Sequence, residues 1–155
     1  MPRPANRIDV ELVQSLYDYD SKTGDLTSKK TGRVLKAKGG PNGIYRSVNI
    51  EGKLYYQHRV AWAIYHSEDP GDLVVDHIDH NGHNNAIDNL RACTHEQNIC
   101  NRSTTKGYTK RGNRFEAQIK HKTQTIYIGL FETAEAARAA YLEKATELFG
   151  EFAIA

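Results

Sequence analysis

Val75-Asp76-His77-Ile78-Asp79-His80-Asn81-Gly82, followed by Asn89-Leu90-Arg91 and then by Thr94-His95-Glu96-Gln97-Asn98, is the stretch on which the fold turns. Leu73-Val74-Val75 is a short β-branched run that predicts a buried strand, and Asn81-Gly82 is a turn signal that stops it. His77 therefore falls at a strand end. Asn89 to Cys93 can return as a second short strand. Thr94, with Gln97 three residues on, has the form of a capping box opening a helix, which places Asn98 in that helix's first turns. Strand, loop, strand and helix in this order would carry Asp76, His77 and Asn98 towards one point.

The residue types suit one chemistry. Cleaving a phosphodiester needs an activated water, a Lewis acid on the phosphate and relief of charge on the departing 3′ oxygen. Histidine titrates closest to neutral pH, so His77 is the candidate general base. The Asp76 carboxylate and the Asn98 carboxamide are hard oxygen ligands suited to one Mg²⁺ or Mn²⁺ ion, which keeps positions for water and phosphate oxygens. Asn89 is placed to hydrogen-bond the loop backbone and hold His77 in line. His77, His80 and His83 could instead collect Zn²⁺, but the Asn81-Gly82 turn should spoil their common face. Each of these residues alone would read as structural, since asparagine closes turns in many loops. Order and spacing together give the set its meaning.

These residues resemble the HNH endonuclease family, in particular phage and intron-encoded homing endonucleases built on a ββα-metal finger. Asp76 and His77 match the first motif, Asn89 the loop-orienting asparagine of the middle motif, and Asn98 the metal ligand of the last, with asparagine in place of histidine. His58-Arg59-Val60-Ala61-Trp62-Ala63-Ile64-Tyr65 looks like the short helix that precedes the finger. The resemblance implies a divalent-metal endonuclease acting on double-stranded DNA and leaving 5′-phosphate and 3′-hydroxyl ends. His80 and His83 are extra residues in the loop.

Downstream, Arg114-Phe115-Glu116-Ala117-Gln118-Ile119-Lys120 alternates with period two, with Phe115, Ala117 and Ile119 on one face. Thr125-Ile126-Tyr127-Ile128-Gly129 repeats the pattern, turning Ile126 and Ile128 inward and Thr125 and Tyr127 to the polar face. An alanine-rich helix follows from Ala134 to Phe149, capped by Thr133 and ended by Gly150, with small Ala136, Ala137 and Ala140 set to lie on the sheet. The block resembles an AP2 domain, a three-stranded antiparallel sheet backed by one helix that lays the sheet in the major groove. Lys106-Gly107-Tyr108, Tyr127-Ile128-Gly129-Leu130-Phe131-Glu132-Thr133 and Ala136-Ala137-Arg138-Ala139-Ala140-Tyr141 carry the resemblance. Phe115 and Tyr127 stand where tryptophans are frequent, and Gln118 and Lys120 replace a frequent Glu and Arg.

Charge is segregated along this block. Arg102, Lys106, Lys110, Arg111, Arg114, Lys120 and Lys122 precede or lie on the sheet, while Glu135, Glu143, Glu147 and Glu151 lie on or after the helix. One side thus carries a positive field although the net charge is only +2. Arg111, Arg114, Glu116, Gln118, Lys120, Lys122, Thr125 and Tyr127 are the candidate DNA contacts of the sheet, a merely solvated surface being the other reading. In the N-terminal part, Lys29, Lys30, Arg33, Lys36 and Lys38 form a run without an acidic residue; a backbone-tracking DNA arm and a solvated hairpin are both open readings.

Elsewhere Asp9 is placed to cap a helix carrying Val10, Val13, Leu16 and Tyr17, and Asp20 to Gly24 before Leu26 suggests a turn into a hairpin. Ile44, Arg46, Val48 and Ile50, then Glu51-Gly52 and Leu54-Tyr55-Tyr56, predict a second hairpin. At 155 residues and 39% hydrophobic content the chain supports two or three small units, not one large enzyme core. Cys93 and Cys100 are too few for a disulfide framework and lack paired CxxC knuckles. Met1 to Arg7 leads straight into a polar helix and no apolar run is long enough to span a bilayer, so a cytoplasmic location, in a bacterial or phage-infected cell, is expected.

The expected protein is α+β. Residues 1–57 form N-terminal hairpins and short helices, 58–103 the ββα-metal finger, and 104–155 the AP2-like three-stranded sheet plus helix. The expected function is metal-dependent endonucleolytic cleavage of double-stranded DNA, as monomer or homodimer. The alternative is a non-catalytic, sequence-specific DNA-binding regulator with a degenerate finger.

Overall fold

Short elements closed by local turn chemistry make up the computed structural model, which describes residues 6–35, 38–39, 44–100 and 105–153, with the backbone alone at 38, 39 and 100. The expectations for Met1 to Ala5, Lys36, the Lys38 side chain and Arg102 lie outside the described residues. The chain divides into two units, Met1–Ala92 and Cys93–Ala155. Helices and small antiparallel sheets are mixed in sequence, an α+β arrangement as expected.

In the first unit, helix α1 (Val10–Leu16) opens at Asp9, whose carboxylate accepts from the Leu12 N–H at 3.0 Å. Tyr17, expected on this helix, is extended instead and begins strand β1 (Tyr17–Tyr19). β1 pairs antiparallel with β2 (Leu26–Ser28) across a turn in which the Asp20 carboxylate accepts from the N–H groups of Lys22 and Thr23. β3 (Lys38–Gly39), β4 (Arg46–Ile50) and β5 (Lys53–Tyr56) form a second antiparallel sheet in that order. Glu51 and Gly52 both take positive φ, 50° and 81°, the geometry of a two-residue hairpin whose twist matches its strands.

Helix α2 (Gln57–His66) is what joins these pieces. Val60 and Ala63 pack with Ile8, Val13, Leu26, Val48 and Ile50 in one cluster, while Ala61 turns to Val75 and Leu90 in another. Arg59, on the same helix, donates through Nη1 to the Leu73 carbonyl (2.7 Å) and through Nη2 to that of Gly71 (2.8 Å). The segment entering strand β6 (Val74–His77) is thereby anchored to α2. Leu73, expected inside the buried run, sits in a turn before the strand and is exposed, its N–H bonded to the Pro70 carbonyl. β6 is the hydrogen-bonded neighbour of β7 (Leu90–Cys93), and the boundary between the two units falls inside β7. Asn89, expected to start that strand, closes a 3-10 turn over Ile87–Asn89 instead.

In the second unit, helix α3 (His95–Cys100) begins at a reciprocal capping box: the Thr94 N–H donates to Gln97 Oε1 (2.7 Å) and the Gln97 N–H to Thr94 Oγ1 (3.2 Å). β8 (Tyr108–Arg111), β9 (Arg114–His121) and β10 (Gln124–Phe131) form an antiparallel sheet in the order β10-β9-β8. Helix α4 (Ala134–Phe149), capped by Thr133 through a bond from the Ala136 N–H and ended at Gly150, lies on it. The face that packs is Ala137, Tyr141, Ala145 and Phe149, at i+4 spacing, against Ile119, Ile126 and Ile128. Ala136, expected on this face, is exposed because one residue of helix rotates a side chain by about 100°.

Gly107 allows the closest approach in this unit. Its φ is +75°, and a Cβ there would run into the Tyr141 ring. Gly107→Ala should destabilise the chain by about 3 kcal/mol, the combined scale of overpacking and left-handed backbone strain. Urea denaturation monitored by tyrosine fluorescence measures this; an unchanged midpoint would contradict the packing described.

Candidate active site

The strand β6 delivers Asp76 and His77 side by side, and period two sends them to opposite faces. His77 is buried at 4% exposure, whereas Asp76 stands at the edge, its Oδ2 paired with Arg91 Nη2 at 3.2 Å and Nε at 3.3 Å. The guanidinium comes from β7, so the strand pairing sets this ion pair. A carboxylate has about four lone-pair sites, so an oxygen facing Arg91 does not exhaust Asp76 as a ligand. An anionic hard oxygen with that capacity suits a divalent cation of the Mg²⁺ type.

Past the strand end the chain loops from Ile78 to Asn89 and is tied shut from within. The Asn89 carboxamide accepts from the Asp79 N–H (3.0 Å) and donates through Nδ2 to Asp79 Oδ1 (2.9 Å) and to the Asn84 carbonyl (2.8 Å). One side chain thus pins both shoulders of the loop. Asp79 also accepts from the Asn81 N–H and the Asn84 Nδ2. Burial pushes the Asp79 carboxyl upward in pKa, but the donors of Asn84, Asn81 and Asn89 outweigh it and the net shift is downward.

His77 Nε2 lies 3.0 Å from Asn85 Oδ1. Asn85 was not among the sequence candidates, because a second asparagine in an Asn-Asn pair carries no local mark; only the folded loop aims its carboxamide at the ring. The His77 ring is also flanked by His58, edge-on at 4.9 Å, and by Tyr45, nearly parallel at 5.7 Å. Tyr56 stacks on His58 in turn. Gly82 leaves room for this: a Cβ there would meet the Ile44 carbonyl and the Tyr45 ring. Burial lowers the His77 pKa below its ordinary 6.5, against the opposing bond to Asn85 and the charges of Asp76 and Asp79. The ring is therefore neutral at neutral pH and able to take a proton.

His58 is the second histidine that sequence reasoning passed over. It is buried on α2, its Nδ1 has no hydrogen-bond partner, and burial, then His77 and Arg59, drive its pKa well below 6.5. Of the extra histidines of the loop, His83 is close enough for its charge to help lower the His77 pKa. His80 takes positive φ in the turn, and among the described residues no three His, Cys, Asp or Glu side chains gather closely enough to hold a metal ion.

Asp76, His77 and Asn89 all lie in the first unit, Asp76 and His77 on opposite faces of β6 and Asn89 at the far end of the loop that follows. Asn98 belongs to the second, in the middle of α3, where its N–H donates to the Thr94 carbonyl. In that unit Arg114, Gln118, Lys120, Thr125 and Tyr127 are exposed on one face of the sheet, Lys120 opposite Thr125 and Gln118 opposite Tyr127. Tyr127 is 62% exposed. Glu116 is half-buried and paired with Arg111 Nε at 3.3 Å. Lys122 holds the β9-β10 turn with positive φ, its N–H donating to Glu96. In the first unit Lys30 and Arg33 are exposed, whereas Lys29 is bonded to the Gln14 carbonyl and paired with Asp18, so an acidic residue absent from the local run arrives across the hairpin.

A model of the HNH endonuclease family matches residues 55–99, the span from the end of β5 through α2, β6 and β7 into α3. The chain carries an HNH endonuclease domain. Two proteins of Acanthamoeba polyphaga mimivirus, described as uncharacterized HNH endonucleases L560 and L245, are 40% identical over 106 residues and 32% identical over 121 residues. The first alignment covers 66% of this chain and 57% of the relative, the second 74% and 36%, so the chain spans roughly half or less of each relative's length. A solved structure described as DNA binding and cleavage by the HNH homing endonuclease I-HmuI matches with 31% identity and a TM-score of 0.46, over 61% of this chain and 55% of that one. Among the described residues no helix is long and apolar enough to cross a membrane.

The HNH domain buries His58 neutral, and the sign of the pH effect follows. Below the unfolded-state value of about 6.5 the unfolded chain binds a proton that the folded domain refuses, so stability falls as pH drops below that point. The slope should approach about 1.4 kcal/mol per pH unit for one proton, with His77 adding in the same direction. His58→Phe should flatten it in urea titrations between neutral and mildly acidic pH; an unchanged slope would place the pH sensitivity elsewhere.

Proposed function

We propose that this chain is a metal-dependent DNA endonuclease of homing type, hydrolysing phosphodiester bonds in double-stranded DNA. The observation that carries the reading is the HNH match over residues 55–99 coinciding with a neutral, buried histidine at the end of β6, beside a carboxylate and a loop pinned by Asn89. In this reading His77 accepts the proton of the attacking water, and Asn89 keeps the loop that flanks it closed. Asp76 and Asn98 would hold the divalent ion, Mg²⁺ or Mn²⁺. When bound, that ion supplies Lewis-acid polarisation of the phosphate and neutralises the leaving oxygen.

The three-stranded sheet and helix of the second unit act, in the same reading, as an AP2-like recognition module. Its exposed face offers Arg114 and Lys120 to phosphates or guanine edges and Gln118 to adenine, with Arg111, Glu116, Lys122, Thr125 and Tyr127 around them. Lys30 and Arg33 of the first hairpin are available to the backbone of flanking DNA, and Lys29 less so because of its pairing with Asp18.

Supercoiled plasmid carrying a randomised insert should be nicked or linearised by the wild-type chain in Mg²⁺, and chelation should abolish the activity. His77→Ala should lower the rate by about 10²–10⁴-fold, the usual contribution of a general base. Equal cleavage by both proteins would remove His77 from the chemistry, and binding without cleavage in any divalent ion would leave the regulator reading. On the sheet, Lys120→Ala should weaken duplex binding and reduce the slope of log K against log salt by about 0.9, one phosphate contact. Fluorescence anisotropy across a salt series reads that slope, and an unchanged slope would take the Lys120 face off the DNA.

A further inference from the structure

His77 has two ring nitrogens, and chemistry needs only one of them as a base. We propose that Asn85 is a positioning residue that chooses which: its carboxamide oxygen, accepting from Nε2–H at 3.0 Å, holds the neutral ring in the tautomer whose lone pair lies on Nδ1. The role given to Nδ1 rests on the nuclease reading above; the tautomer does not.

Asn85 is built for this. It is 1% exposed, and its backbone is fixed on several sides. The Tyr19 hydroxyl donates to the Asn85 carbonyl at 2.7 Å, the Asn89 Nδ2 holds the preceding Asn84 carbonyl, and the Ile87 N–H donates to the Ser21 carbonyl. Gly24, with φ +77°, lies so close that a Cβ would strike the Asn85 and Ala86 backbone. The β1-β2 hairpin therefore presses directly on this residue. Against that rigidity, the Asn85 Nδ2 is buried without a hydrogen-bond partner. A carboxamide placed for stability alone would pair both ends; this one engages only its oxygen, and the oxygen faces His77.

Among the described residues no other side chain is hydrogen-bonded to the ring. Tyr45 and His58 confine its plane but offer Nε2 and Nδ1 no acceptor, and Nδ1 makes no hydrogen bond to any described residue. In the reaction a water proton passes to Nδ1 while Nε2 keeps its own. The hydroxide oxygen bonds to phosphorus, the bond from phosphorus to O3′ breaks with its electron pair on O3′, and solvent water protonates that oxygen. The imidazolium then donates from both nitrogens, and its bond to Asn85 strengthens as charge develops.

The test is a long-range ¹H–¹⁵N correlation spectrum of the full chain with labelled histidine, at mildly alkaline pH, with His77 assigned by its loss in His77→Gln. Wild type should show a protonated Nε2, Asn85→Ala a mixture of tautomers, and Asn85→Asp, which keeps an acceptor in place, the wild-type form. Cleavage should follow: Asn85→Ala lowers kcat by about 10–100-fold, the scale of losing a partner that orients an active-site histidine, with KM little changed, and Asn85→Asp recovers most of it. A protonated Nδ1 in wild type, or an undisturbed tautomer in Asn85→Ala, would overturn the assignment. The wild-type and Asn85→Asp spectra decide it even where Asn85→Ala does not fold. Tautomers as expected in a chain that cuts no DNA would support the Asn85 assignment while ending the nuclease reading.

Discussion

The Asn89 carboxamide is the interaction on which the site depends. It spans the loop between β6 and β7, gripping Asp79 at one shoulder and Asn84 at the other, so that the residues between are held without regular secondary structure. A loop of this kind would ordinarily be mobile, because its backbone groups would bond to water. Here one amide satisfies two of its shoulder groups at once, and Asp79 satisfies more. Everything downstream of that closure, from the aim of Asn85 to the clamped ring of His77, inherits its geometry.

Support from outside the finger is equally physical. α2 is buried on two sides, which lets one short helix share its small residues between the hairpin core and the β6-β7 ribbon. Arg59 adds a polar anchor, using a planar fork to hold two carbonyls of the chain entering β6. The aromatic group of Tyr45, Tyr56 and His58 then closes over His77. The same burial that keeps His77 neutral is thus supplied by segments distant in the chain.

The second unit works by different means. Its sheet meets α4 through aliphatic residues, and Gly107 lacks the Cβ that would run into the Tyr141 ring. The opposite face is left to polar and basic residues. Segregation of this kind needs no net charge, since a field is set by where charges stand rather than by their sum.

Local pattern was enough for much of this. Alternation in Arg114 to Lys120, the capping signals at Asp9, Thr94 and Thr133, and the turns at Asp20 and Glu51-Gly52 act within a few residues, so the sequence by itself determined those elements and put His77 at a strand end. Tyr17, Leu73 and Ala136 departed from expectation because boundaries and helix phase depend on what each segment packs against. Only the tertiary structure decided that Lys29 would meet Asp18, that His58 would be buried beside His77, and that Asn85 would be its hydrogen-bond partner. Such contacts join residues through space and leave no periodicity in the chain; they exist only once loop closure and core packing have brought the segments together.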